Sequence, residues 1–271
     1  MSCKLGWVAL LAGLSLGGCV SVPGPEGGGT TAANTTATIT TRADDETDAR
    51  KRARIRTELA MSYYSKGQMQ VALDELRNAT QADPTYPDAF NAMGLVYMAL
   101  NDREPAEESF RRALTIAPNN PEVNNNYGWF LCRTGRPEKS IAYFQNALRD
   151  PLYATPAVAA RSAGICSIEM KDLAGAQDFL QRSFQADPSN PTTMYHLADL
   201  LYRRGEYDRA RFYAQRLNRQ IDVTAQTLWL ELRIEHKRGD RESEELVASQ
   251  LKRRFPDSRE YDALTKGAFD E

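Results

Sequence analysis

Few residues in this chain carry reactive side chains, and they are scattered. Its 271 residues include four cysteines, Cys3, Cys19, Cys132 and Cys166, and two histidines, His196 and His236. A metal site needs convergent ligands held by outer hydrogen bonds, and neither histidine has partners at a ligand spacing. No phosphate loop, dinucleotide fingerprint or nucleophile elbow occurs. The carboxylate pairs Glu107-Glu108 and Glu244-Glu245 fall on polar helix faces and read as solvated. The sequence therefore predicts no catalytic residue, no metal and no cofactor: a binding protein, not an enzyme. Its net charge of −2 leaves no footprint for nucleic acid, and nothing marks a small-molecule substrate site.

The cysteines differ by context. Lys4 and the apolar run Leu5 to Leu16 have the form of a bacterial secretory signal, residues 1–18, too short for an ordinary membrane span. Leu16-Gly17-Gly18-Cys19 resembles a lipobox, which makes Cys19 the lipidated N-terminus of the mature chain. Two or more acyl chains anchor stably, where one binds only marginally. Val20 stands where an aspartate would signal inner-membrane retention, so the expected site is the outer membrane, facing the periplasm. Residues 19–43 are rich in Gly, Thr, Ala and Pro and read as a flexible linker with a root-mean-square span of about 25–30 Å.

From about residue 50 the pattern is helical, and it repeats. Pro84 and Pro118 are 34 residues apart, and Pro188 and Pro256 are 68, twice that. Pro118 to Pro188 is 70, two repeats plus two residues. A period of 34 is that of the tetratricopeptide repeat. The predicted fold is all-α, a right-handed superhelical array of about six such helix-turn-helix repeats across 44–258, closed by a capping segment at 259–271. Close helix crossing needs a small residue at the eighth place, met by Ala60, Gly94, Gly128, Gly164 and Ala198 and broken by Leu232. The twentieth place is small in Ala72, Ala106, Ser140, Ala176 and Ala210 but not in Glu244. Gly67, Gly135, Gly205 and Gly239 mark turns, and the two extra residues fall around Pro151-Leu152-Tyr153. The basic stretch Arg50 to Arg56 reads as a helix flank balanced by Asp44, Asp45, Glu46 and Asp48, with contact to acidic headgroups as the alternative.

Cys132 and Cys166 fall on first helices of neighbouring repeats, offset by about 3 Å of rise. A disulfide fits that placement, and so do two buried thiols. The first helices line a concave face with places two, five, nine and twelve looking inward. The candidate binding groove is Asn91, Leu95 and Met98, then Asn125 and Trp129, then Arg161 and Ile165, then Tyr195 and Tyr202. Its apolar, aromatic centre suits an apolar peptide or helix laid in a groove. Trp129 is the preferred anchor, although it and Met98 also suit packing between repeats.

The lipobox, the repeat count, Asn124-Asn125-Asn126-Tyr127-Gly128-Trp129-Phe130-Leu131-Cys132, Cys166 and Arg254-Phe255-Pro256-Asp257-Ser258 together resemble the PilF/PilW family of type IV pilus biogenesis lipoproteins. The resemblance covers nearly the whole mature chain. It implies a pilotin, which helps the outer-membrane secretin of the pilus system reach the membrane and multimerise, or helps stabilise the pilus. It also implies that Cys132 and Cys166 pair as a disulfide. The other reading of the residues is a periplasmic adaptor for peptidoglycan-remodelling enzymes.

Overall fold

The computed structural model describes residues 46–269. The signal segment, Cys19 and the linker therefore lie outside the described residues. Among those described there are thirteen helices and no strand. They form six pairs: α1 Asp48–Ser65 with α2 Met69–Ala82, α3 Pro87–Ala99 with α4 Arg103–Ile116, α5 Pro121–Arg133 with α6 Pro137–Ala147, α7 Pro156–Glu169 with α8 Leu173–Ala186, α9 Pro191–Arg203 with α10 Tyr207–Gln220, and α11 Ala225–Arg238 with α12 Arg241–Arg254. The short α13, Arg259–Lys266, follows them.

Local chemistry sets the helix ends. α3, α5, α6, α7 and α9 begin on proline, which is pre-shaped for the first turn and has no N–H to leave unsatisfied. Asn120, Asn190, Thr224 and Ser258 cap their helices by accepting a backbone N–H. Each pair turns at one left-handed residue in the same register place. Four are glycines, Gly67, Gly135, Gly205 and Gly239, and the other two are Asn101 (φ 59°) and Lys171 (φ 61°).

The two helices of a pair cross closely because the eighth place faces the twenty-fourth. A Cβ added to Gly94 would lie 2.6 Å from the Phe110 ring, and one added to Gly164 would lie 2.6 Å from Leu180. Contacts that short are not sustained, so glycine there is a packing requirement. The sixth pair exchanges the partners: Leu232 at place eight packs in one cluster with Ala248 at place twenty-four. The broken eighth-place rule is thus compensated within the same pair.

Neighbouring pairs meet in two ways. Each second helix packs on the first helix that follows it, and α1, α3, α5, α7, α9, α11 and α13 each touch the next in that series. No second helix touches another second helix among the described residues. The first helices therefore form the inner layer of the superhelix and the second helices the outer one. The two extra residues form the link from α6 to α7, where Tyr153 is buried against Ala147 and Ala159 while Leu152 stands exposed.

Candidate functional site

The groove residues sit on the inner helices, tied across neighbouring pairs. Asn126 on α5 donates Nδ2 to Oδ1 of Asn91 on α3 at 3.2 Å, and Asn125 donates to Oδ1 of Asn126 at 3.1 Å. Asn125 is itself buried, and its Oδ1 has no hydrogen-bond partner. A buried acceptor without a donor is costly, and this oxygen is enclosed by the fold rather than open to the groove. Asn124 is used differently. It donates to the carbonyls of Pro118 and Asn120 and closes the turn before α5.

Trp129 is half-buried on α5 against a cluster containing Cys132, Phe144, Cys166 and Phe179. Arg133, one turn on, sets its guanidinium 5.7 Å from the indole centroid and reaches Glu169 of α7 at 3.5 Å. Cys132 and Cys166 are bonded in the structure, joining α5 to α7 with 5.9 Å between Cα atoms. Leu95 and Met98 rest on the cluster around Phe110, Phe130 and Leu131. Met98 also lines a cavity of about 200 Å³ with Asn101, Arg103, Phe130, Arg133 and Thr134.

The fourth and fifth pairs continue the surface. Ile165 and Arg161 are half-buried on α7. Burial lowers the Arg161 guanidinium from its usual value, partly offset by the charge of Asp187. On α9, burial pushes His196 down, so the imidazole there is neutral at pH 7. Tyr195 accepts a hydrogen bond from Gln226 of α11 at 2.9 Å. Tyr202 is buried, with the Arg233 guanidinium 4.5 Å from its ring centroid.

Of the nine groove residues, Asn125 and Tyr202 thus present little surface, while Asn91, Leu95, Met98, Trp129, Arg161, Ile165 and Tyr195 are half-buried. Asn126, Arg133, Gln226 and Arg233 join them and were not singled out from the sequence. Arg233 occupies place nine of the sixth pair, so the period alone could have found it. A larger cavity, about 860 Å³, lies elsewhere, between α3 and α4, lined by Phe90, Met93, Tyr97 and polar α4 residues. Among the described residues no cluster of His, Cys, Asp or Glu is placed to hold a metal ion, and no helix is long and apolar enough to cross a membrane.

Two carboxylates that read as solvated from sequence are engaged. Glu107 binds Arg136 through two hydrogen bonds of 2.9 and 3.0 Å and accepts from the Tyr127 hydroxyl at 3.2 Å. Glu244 meets His236 Nδ1 at 2.9 Å. The basic flank is engaged too. Arg50 reaches Asp83 at 2.5 Å, Arg54 pairs with Glu46 and Glu58, and Arg56 pairs with Glu75.

Paired helices at a 34-residue period around an inner layer of first helices define a tetratricopeptide-repeat scaffold. Family models described as tetratricopeptide or TPR repeats match residues 61–101, 87–120, 109–142 and 167–226. The chain is 31% identical over 204 residues to the type IV pilus assembly protein PilF of Pseudomonas aeruginosa, covering 75% of this chain and 81% of that one. The crystal structure of PilW, a widely conserved type IV pilus biogenesis factor, superposes with a TM-score of 0.72 at 35% identity, covering 79% of this chain and 98% of PilW. The structure of Pseudomonas aeruginosa PilF gives 0.75 at 29% identity, covering 82% and 100%. The chain belongs to the PilF/PilW family and is a repeat scaffold of type IV pilus biogenesis.

Proposed function

We propose that this protein is an outer-membrane-anchored pilotin that grips the pilus secretin in its concave groove and promotes the secretin's localisation and multimerisation. The observation that carries the reading is the kinship with PilF across four-fifths of that protein's length, added to a lipobox ending at Cys19. The groove supplies the means: a half-buried indole at Trp129 and a cation beside it. Aromatic side chains of this kind dominate interface energies, and losing one costs about 2 kcal/mol or more. The lipid turns a three-dimensional search for the secretin into a local one at the membrane.

The test measures heat-resistant secretin multimers in inner- and outer-membrane fractions. The strains carry the wild type, a deletion, Cys19→Ser and Trp129→Ala. The expected result is loss of the multimer in the deletion and its shift to the inner membrane in Cys19→Ser. Trp129→Ala is expected to reduce the multimer with the protein still folded and anchored. Multimers unchanged in amount and place in the deletion would sink the pilotin reading and turn attention to partners such as peptidoglycan-remodelling enzymes.

A further inference from the structure

The sixth helix pair holds an aromatic slot to which none of the nine groove residues predicted from sequence contributes. Trp229, Arg233 and His236 are at places five, nine and twelve of α11, the places that carry the candidate groove residues in earlier pairs. Residues seven apart on one helix are separated by about 10.5 Å along its axis. The rings of Trp229 and His236 therefore bound a gap one aromatic ring wide. Phe269 fills it. Its ring stacks on His236 with centroids 3.8 Å apart and 3° between planes, and on Trp229 at 5.6 Å and 17°. Arg233, between them in sequence, donates Nε to the Phe269 carbonyl oxygen at 2.8 Å. The contact of Arg233 with Tyr202 makes the slot continuous with the fifth pair.

Phe269 reaches this slot from outside the repeat register. α13 ends at Gly267, whose left-handed conformation (φ 68°) turns the chain back over α11. The contact is that of a peptide ligand: one side chain between two rings and one main-chain carbonyl on an arginine. Stacking fixes the side chain type and the main-chain hydrogen bond fixes the direction of an extended segment. A tail tethered to its own site is present at high effective concentration, so any competing segment must displace it.

We propose that Trp229, Arg233 and His236 form a binding slot for an aromatic side chain in an extended segment of a partner protein, and that the chain's own Phe269 keeps the slot closed until such a segment displaces it. The slot lies three pairs away from Trp129, and the proposal stands whether or not the partner is a secretin.

The probe is a fluorescein-labelled peptide with the sequence of residues 264–271, followed by fluorescence anisotropy on the full chain. Phe269→Ala is expected to bind it at least tenfold more tightly than the wild type, whose slot is filled. Replacing the phenylalanine in the peptide by alanine should abolish the gain, and so should adding Trp229→Ala to Phe269→Ala. A second variant ending at Gly267 should behave as Phe269→Ala does. Equal affinity for wild type and both variants, or no binding to either variant when circular dichroism shows native helix content, would overturn the proposal. So would unfolding of both variants, because Phe269 would then be core rather than ligand.

Discussion

At single residues, the structure shows where the repeat is under strain and where it is held by buried charge. Lys171 takes the left-handed turn conformation that glycine takes in four of the six pairs. That conformation costs an L-residue with a Cβ about 1 kcal/mol. Lys171→Gly is therefore expected to stabilise the chain by up to about 1 kcal/mol, read as a higher urea midpoint; a lower midpoint would show that the lysine side chain contributes more than its backbone costs. Glu235 is the opposite case. It is fully buried on α11, yet it binds Arg211 of α10 at 2.8 Å and Arg238 at 2.6 Å. Removing it would take the shared partner from two partly exposed arginines, of which Arg238 keeps Asp208 and Asp240, and would leave a gap in the packing, at a cost of about 1–2 kcal/mol. Glu235→Ala should thus be destabilising, and a thermal midpoint within a degree of wild type would refute this. Neither residue stood out in sequence. Lys171 departs from glycine without altering the period, and Glu235 has the composition of a solvated helix face.

At the level of elements, packing within a pair was legible and pairing between pairs was not. The eighth and twentieth places announce themselves because close crossing admits only small residues, and their period is the repeat. The exchange of Leu232 with Ala248 becomes readable only when places eight and twenty-four are compared together. Polar ties between pairs carry no periodic signature: Asn91 to Asn126 and Glu107 to Arg136 are each made once. The last of these joins α4 to the turn between α5 and α6 and has a pH consequence. The Arg136 hydrogen bonds hold the Glu107 carboxyl below its usual value. Burial, then the Glu107 charge, push the Tyr127 phenol up to about 12, so it remains a donor. A carboxylate with a lowered folded pKa stabilises above its unfolded value of about 4.3 and loses that contribution as pH falls through the folded one. Wild type should exceed Glu107→Gln in stability by about 1 kcal/mol at pH 7, the pair being partly exposed. The gap should close below about pH 4, as followed by urea denaturation at each pH. A gap independent of pH would assign the effect to packing instead.

For the whole molecule, stability in a repeat array is a sum over pairs and their nearest-neighbour interfaces, so a local change is felt locally. The fold was legible in the sequence for that reason: one unit, once recognised, implies its neighbours. The binding surface was less so, because the period places a residue such as Trp129 on an inner helix in the same way whether it packs between pairs or contacts a partner. The bond between Cys132 and Cys166 tests this picture. It spans 34 residues and joins the third pair to the fourth. Closing a loop of that length stabilises by about 3–4 kcal/mol in the chain-entropy model. In a fully cooperative globule, reduction would lower the hydrogen-exchange protection of every slow amide equally. In an array, protection should fall mostly in α5 to α8 and little in α1, α2, α11 and α12. The measurement is exchange followed by mass spectrometry on oxidised and reduced protein, with Cys132→Ser/Cys166→Ser as the permanent form. Uniform loss along the chain would mean that the six pairs unfold as one unit. Loss confined to the middle would mean that the disulfide preserves the segment carrying Asn125, Trp129, Arg161 and Ile165, the central part of the proposed groove.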